Sequence, residues 1–103
     1  MAEWVRAIAV SELAPGLCRE VSLGGTPVAL FNVGGIFYAT SNTCIHRGGP
    51  LGQGLLDGSA VMCPWHAWSW DVCTGENTAN PGLTIPKYEV KVEGDAVLVL
   101  VPA

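Results

Sequence analysis

Two short segments of the chain pair a cysteine with a histidine at metal-ligand spacing. One residue separates Cys44 from His46, two residues separate Cys63 from His66, and 16 residues lie between His46 and Cys63. Thiolate sulfur and imidazole nitrogen are the ligands of zinc sites and of some iron–sulfur clusters. The chain has 2 histidines, and each lies beside a cysteine. The spacing predicts a metal centre with two sulfur and two nitrogen ligands.

Two other metal centres remain open on these residues alone. A structural zinc site could use the same four side chains, although such sites usually pair cysteine with cysteine and histidine with histidine. A mononuclear iron site with two histidines and one carboxylate could use Asp57 or Asp71. That second site would leave two correctly spaced cysteines without a role.

The residues around the four ligands resemble those of the Rieske ferredoxins, which carry the same C-x-H and C-x-x-H motifs. The resemblance covers residues 40–101, with Ala67 where the family usually has glycine and Trp70 where phenylalanine is common. The matching segments are Cys44–Leu51, Cys63–Trp68, Asp71, Thr74–Gly75 and Ile85–Val90.

This resemblance implies an all-β Rieske fold and one [2Fe-2S] cluster per chain as the cofactor. Cys44 and Cys63 would bind one iron through thiolates, and His46 and His66 would bind the other through ring nitrogens. These four residues are the predicted cofactor-binding and metal-ligating residues, and no catalytic residue is predicted. Two neutral histidines leave the cluster less negative than four thiolates would, which raises its reduction potential.

Glycines near the ligands have a second expected role. Gly48, Gly49 and Gly52 follow the first motif, and Gly75 follows the second. Because glycine lets the backbone come close to a neighbour, we expect their N–H groups to approach sulfur and stabilise its negative charge.

Within the family, the chain resembles the ferredoxin components of aromatic-ring dioxygenase systems. Respiratory-chain members carry an extra cysteine in each ligand loop, joined as a disulfide, whereas this chain has Gly49 and Trp65 there. The resemblance implies a one-electron carrier that receives electrons from a flavin-dependent ferredoxin reductase and passes them to a terminal oxygenase. The small electron-transfer subunit of a nitrite reductase shares the fold and is the alternative.

The chain is expected to carry electrons rather than to act as an enzyme. An oxygenase of this family needs a separate iron site with further histidines, and none remains after His46 and His66. No G-x-G-x-x-G motif in a strand–turn–helix context offers a site for nicotinamide or flavin. Catalysis would therefore take place on a partner protein.

Short apolar runs separated by glycine predict strands in most of the chain. The C-terminal pair, which turns at Glu93-Gly94-Asp95, is the clearest hairpin, and its last strand is apolar on both faces, which predicts a central position. We predict further strands, joined as hairpins at Pro15-Gly16, Gly24-Gly25 and Gly34-Gly35, over residues 4–10, 17–23, 28–33 and 36–40. No segment predicts a helix of useful length.

The size fits one Rieske domain over residues 1–103. A β framework, a sandwich or a partly open barrel, is predicted over about residues 1–40 and 87–103. Residues 41–86 are rich in Gly, Pro, Asn and Trp and would form the cluster-binding loops, with strands at 60–63 and 67–72.

Charge and hydropathy narrow the function further. The formal net charge of −4 disfavours binding to nucleic acid. No signal peptide and no membrane-spanning run is recognised, so a cytoplasmic protein is expected. In that compartment four cysteines indicate metal binding or burial rather than disulfides.

Several residues outside the ligand set have predicted roles. Cys18 and Cys73 are expected to be structural. Trp4, Trp68 and Trp70 are expected in the core, and Trp65 beside the cluster or facing a partner. Residues 81–82, Pro-Gly, resemble the loop that covers the cluster in this family.

Overall fold

The computed structural model describes residues 2–43, 49–64 and 68–102. The predictions for Cys44, His46, Gly48, Trp65 and His66 concern residues outside these ranges. Within them, short 3₁₀ turns occur at Val10–Glu12 and Leu51–Gln53. The strands are β1 (Ala2–Ala9), β2 (Cys18–Leu23), β3 (Thr26–Val33), β4 (Ile36–Ser41), β5 (Leu55–Asp57), β6 (Ala60–Met62), β7 (Ser69–Asp71), β8 (Lys87–Tyr88), β9 (Val90–Glu93) and β10 (Ala96–Pro102).

These strands form three open antiparallel sheets. Their orders are β1-β10-β9, β2-β3-β4-β8 and β5-β6-β7. The all-β prediction is confirmed, and the described residues contain no α-helix. No helix among them is long and apolar enough to cross a membrane.

Two glycine pairs make the tight hairpins of the central sheet. Gly24 and Gly25 join β2 to β3 with φ of 58° and 86°, and Gly34 and Gly35 join β3 to β4 with φ of 60° and 99°. Two consecutive positive φ angles define the type I′ turn, whose twist matches that of paired strands. The hairpins predicted at these two pairs are therefore confirmed.

The hairpin predicted at Pro15-Gly16 is wrong. Strand β1 pairs with β10, from Ala2 opposite Pro102 to Ala9 opposite Ala96. The 3₁₀ turn after β1 is held to the C-terminal hairpin by a bond of 2.6 Å from the Val10 N–H to the Asp95 carbonyl. Strand β10 thus lies between β1 and β9, the central position that its two apolar faces predict.

Strand β3 is buried on both faces and supports two hydrophobic cores. We call these cores the framework core and the loop core. Val28 and Leu30 lie in the framework core, whereas Ala29 and Phe31 lie in the loop core, because successive side chains of a strand point to opposite faces. The buried residues of the framework core are Ile8, Leu13, Leu23, Val28, Leu30, Phe37, Ala39, Val97, Val99 and Val101. Those of the loop core are Ala29, Phe31, Leu51, Val61, Cys63, Trp70, Val72 and Ile85.

The tryptophans do not all lie in a core. Trp70 is fully buried in the loop core and Trp68 packs against it from a half-buried position. The prediction for Trp4 is wrong, because this side chain on β1 is 38% exposed. The Lys91 ammonium lies 4.4 Å from the centre of its ring, a cation–π contact that stabilises an aromatic ring at the surface.

We expect Leu30→Ala to lower the free energy of unfolding by about 2–5 kcal/mol, because it removes a fully buried side chain from the framework core. The matched control is Leu55→Ala, since Leu55 is 74% exposed and its loss should change stability by less than about 0.5 kcal/mol. Urea unfolding followed by circular dichroism measures both. Equal effects would contradict the assignment of the core.

Candidate metal centre

Cys63 is the predicted ligand that the structure describes. It directly follows β6, is 1% exposed and belongs to the loop core. Cys44, His46 and His66 lie outside the described residues, so their ligand role stays a prediction. The described residues nevertheless define the bases of the two segments predicted to carry ligands, here called the first loop (residues 44–49) and the second loop (residues 64–67).

Asn42 closes the base of the first loop. Thr43 and Pro50 form an isolated antiparallel bridge across it. The Asn42 carbonyl accepts a bond of 2.8 Å from the Leu51 N–H, and the Asn42 Oδ1 accepts one of 2.8 Å from the Gly52 N–H. Both ends of the loop are therefore fixed to one asparagine.

Glu20 on β2 holds the same loop base from the side. Its carboxylate accepts hydrogen bonds of 2.8 Å from Asn42 Nδ2 and 2.6 Å from Gln53 Nε2. The bonds from Gln53 and Asn42 lower the pKa of Glu20, because they stabilise its charged form. Gly52 lies so close that a Cβ there would be 2.6 Å from the backbone nitrogen of Glu20.

Strand pairing closes the second loop. The Cys63 N–H donates a bond of 2.7 Å to the Trp68 carbonyl, which extends the β6–β7 ladder by one step beyond Met62 and Ser69. Cys63 is thus held at the last rung before the chain turns. A residue in this place has its backbone fixed while its side chain is directed into the loop core.

Gly54 brings the two loops together. It follows the 3₁₀ turn that leaves the first loop, and a Cβ at this position would lie 2.1 Å from the carbonyl oxygen of Met62. Its φ of −78° is ordinary, so space rather than backbone conformation requires glycine. The exit of the first loop is thereby in direct contact with the residue before Cys63.

Cys18 supports this contact, as expected of a structural cysteine. Its Sγ donates to the Gly54 carbonyl at 3.2 Å. Burial raises the pKa of the Cys18 thiol, which keeps it protonated and able to donate.

Cys73 lies in a turn that Asp71 organises. The Asp71 Oδ1 accepts bonds from the N–H groups of Cys73 and Thr74 at 2.8 and 3.3 Å. Lys87 Nζ donates to the Cys73 carbonyl at 2.5 Å. A hydrogen bond with the Cys73 side chain raises the pKa of Tyr38. These contacts favour the structural role predicted for Cys73.

The expectation for two of the glycines is wrong. The Gly52 N–H donates to Asn42 Oδ1, and the Gly75 N–H donates to the Asp71 carbonyl at 2.7 Å. Neither donor is available to a sulfur atom. Gly75 has φ of 82° and a Cβ there would lie 2.8 Å from the Ile85 carbonyl, so its role is to form the turn.

Residues 77–83 form a compact loop beside β7. The buried Asn77 accepts bonds from the N–H groups of Ala79 and Asn80 at 2.9 and 3.0 Å. The loop shares a groove with Trp68 and contains the predicted Pro81-Gly82. The residues of this loop that line the groove with Trp68 are Asn77, Thr78, Ala79, Asn80 and Leu83. A covering role for Pro81-Gly82 stays a prediction.

Glu20, Asn42 and Asn77 organise these loops, and none of them is predicted to do so from the sequence. Asparagine directly ahead of Pro-Gly is a known loop signal, but in this chain it identifies Asn80 rather than Asn77. Nothing local identifies Glu20, because its partners are 22 and 33 residues away along the chain.

The donor chemistry around Cys63 fits an iron–sulfur centre better than a carboxylate-bound iron. Asp71 uses Oδ1 to hold its own turn, and Asp57 is exposed at the far end of the β5–β6 hairpin from Cys63. The loop core also contains a buried polar atom, Trp70 Nε1, that has no hydrogen-bond partner in the described structure. Sulfur ligands in an apolar pocket with a spare N–H donor suit such a cluster.

Comparison with protein families gives a decisive match. The Rieske [2Fe-2S] domain family matches residues 3–99. The chain belongs to this family. A Rieske domain binds a [2Fe-2S] cluster, so the cofactor that the resemblance implies is confirmed.

Similar Rieske proteins are ferredoxins. Ferredoxin CarAc of Metapseudomonas resinovorans is 39% identical over 99 residues, which cover 93% of this chain and 92% of that one. A solved complex of reduced oxygenase and oxidized ferredoxin in carbazole 1,9a-dioxygenase contains a chain with 38% identity and a TM-score of 0.85, with 93% and 91% coverage. A structure described as an NADH-dependent nitrite reductase small subunit from Mycobacterium tuberculosis has 25% identity and a TM-score of 0.89, with 100% and 98% coverage.

We expect Gly54→Ala to impair assembly of the Rieske cluster, because the new methyl group would push the first loop away from Met62 and Cys63. Iron and sulfide content per folded chain should fall several-fold. The matched control is Gly58→Ala in the turn of the same hairpin, where φ is 62° and no atom lies within 4 Å. The Gly58→Ala substitution strains the turn by about 1–2 kcal/mol but contacts neither loop. This variant should therefore bind the cluster as the wild type does. Normal cluster content in Gly54→Ala would contradict this role.

We expect the Glu20 contacts to make stability depend on pH. A carboxyl group with a lowered pKa stabilises the fold above its unfolded-state pKa, and this contribution is lost as pH falls through the folded-state pKa. Glu20→Gln should therefore be less stable than the wild type at pH 7, with the difference shrinking below about pH 4.5. Chemical unfolding across that range measures it. Glu3→Gln, the same change at an exposed residue of β1, should show no such trend.

Proposed function

We propose that this chain is a cytoplasmic one-electron carrier whose [2Fe-2S] cluster is ligated by Cys44, His46, Cys63 and His66. The thiolates of Cys44 and Cys63 would hold one iron, and ring nitrogens of His46 and His66 would hold the other. When bound, the cluster supplies a site that accepts and releases single electrons. The protein supplies the ligands and the surroundings of that site.

The observation that carries this proposal is that the residues flanking the two loops are in contact with each other next to the buried Cys63. Leu51, just after the first loop, and Cys63, just before the second, belong to the same loop core. Gly54 fixes their separation through its contact with Met62. The end of the first loop and the start of the second loop are therefore close together in the fold. These are the two loops whose cysteine and histidine spacing predicts ligands.

The proposed electron donor is a flavin-dependent ferredoxin reductase, and the proposed acceptor is a terminal oxygenase. The solved oxygenase–ferredoxin complex supports the acceptor, because the ferredoxin there is 38% identical and matches nearly the whole of this chain. The net charge of −4 would steer the chain toward a partner surface with basic residues.

A second candidate is the small subunit of a nitrite reductase. The TM-score of 0.89 over the full chain favours it on shape, whereas the higher sequence identity of 38–39% favours the dioxygenase ferredoxins. Because the carrier chemistry is the same, the two candidates differ only in the partner that takes the electron.

We expect each of Cys44→Ser, Cys63→Ser, His46→Ala and His66→Ala to abolish the assembled cluster, because each removes one of two protein ligands to an iron. Iron and sulfide analysis, the visible spectrum and electron paramagnetic resonance of the reduced protein measure this outcome. Loaded wild-type protein should transfer electrons from a ferredoxin reductase to an aromatic-ring oxygenase and increase product formation at least tenfold.

The matched controls are Cys18→Ser and Cys73→Ser, which change the same residue type outside both loops and should keep the cluster. Full occupancy in Cys44→Ser or His66→Ala would refute the ligand assignment. Electron transfer to a nitrite reductase large subunit, with no electron transfer to an oxygenase, would show that the chain is the small subunit of a nitrite reductase.

A further inference from the structure

Trp70 carries an unexplained buried donor. Its side chain is fully buried, and Nε1 is the one buried side-chain nitrogen or oxygen in residues 2–43, 49–64 and 68–102 that lacks a hydrogen-bond partner. Leaving an N–H donor unpaired away from water costs about 1–3 kcal/mol. A natural core that retains such a group needs a reason for it.

The strand register places this indole beside the proposed ligand Cys63. Trp70 is directly opposite Val61 of β6. Cys63 lies two residues after Val61, just past the end of β6, and therefore on the same face. A residue and its diagonal neighbour across a strand pair lie about 7–8 Å apart, within reach of an aromatic side chain. Both side chains are buried in the loop core.

We propose that Trp70 is a redox-tuning residue whose indole N–H donates to a sulfur atom of the centre, either the Cys63 thiolate or a cluster sulfide. This inference rests on the ligation proposed above. Indole nitrogen only donates, and a thiolate or sulfide only accepts, so their types are complementary. The apolar loop core around them keeps competing water away from the bond.

The proposed bond favours the reduced cluster. Reduction adds one electron and moves no proton, so the centre gains one negative charge that is shared by its sulfur atoms. A hydrogen bond to a more negative acceptor is stronger. The N–H of Trp70 therefore stabilises the reduced form more than the oxidised form and raises the reduction potential.

The rival explanation is a contact between the Trp70 N–H and the ring of Trp68. The two ring centres are 6.2 Å apart and the planes are tilted by 47°. An N–H···π contact of this kind is a weak interaction. It would not respond to the charge on the cluster, so measurements on the two redox states separate it from the proposed bond.

The test is Trp70→Phe, which retains an aromatic ring and removes the N–H. We expect a loaded cluster whose equilibrium constant for reduction is about tenfold smaller, a decrease of 59 mV for one electron. The iron–sulfur Raman bands of the wild type should shift in D₂O. In Trp70→Phe, part of this shift should be lost. Trp4→Phe, at an exposed tryptophan of another sheet, is the matched control and should change neither quantity.

A second measurement covers the case in which Trp70→Phe does not fold. Biosynthetic replacement of all tryptophans by 5-fluorotryptophan makes every indole N–H more acidic and should raise the potential, equally in the wild type and in Trp4→Phe. An unchanged potential in fluorinated protein, or in loaded Trp70→Phe with its D₂O shift intact, would overturn the inference. A wild type that binds no cluster would instead refute the proposed function.

Discussion

The approach of Gly54 to the Met62 carbonyl is the contact on which the rest of the site depends. A cluster with four protein ligands needs its ligand atoms placed to within about 0.5 Å. Here the segments that flank the two predicted ligand loops meet at Gly54 and the Met62 carbonyl, with no space for a Cβ between them. Met62 belongs to β6 and Gly54 directly precedes β5, so the distance between these two points is set by the backbone of the β5-β6-β7 sheet.

The double burial of β3 connects this site to the framework. Val28 and Leu30 pack into the framework core, and Ala29 and Phe31 pack into the loop core that contains Cys63. A strand shared by two cores transmits any loss of packing in one to the other. The small size of the domain makes such sharing useful, because neither core alone buries much surface.

Local signals explain what the sequence predicts well. The C-x-H and C-x-x-H motifs lie within a few residues each, and the resemblance that they carry implies the family and the cofactor. The glycine pairs are equally local and predict two of the hairpins. Pairing of β1 with β10 joins opposite ends of the chain, so no local pattern reveals it. Strand β5 has three residues, too few for a recognisable alternation of polar and apolar side chains, and the sequence does not predict it. The strand predicted over 67–72 is Ser69–Asp71 within the described residues. The hydrogen bonds from Asn42 and Gln53 to Glu20 join exposed residues that are distant in sequence. The polar character of these side chains predicts only that they are exposed to solvent.

The loop core imposes opposing effects on an electron carrier. Its apolar side chains exclude water from Cys63, and a low dielectric disfavours the charge that reduction adds. The same low dielectric strengthens any hydrogen bond made inside it. A single buried donor therefore has more influence on the potential here than several donors at the surface would have. The hydrogen bond between Asn42 and Glu20 is exposed and lies outside this core, so it holds the base of the first loop without bringing a charged group into the loop core.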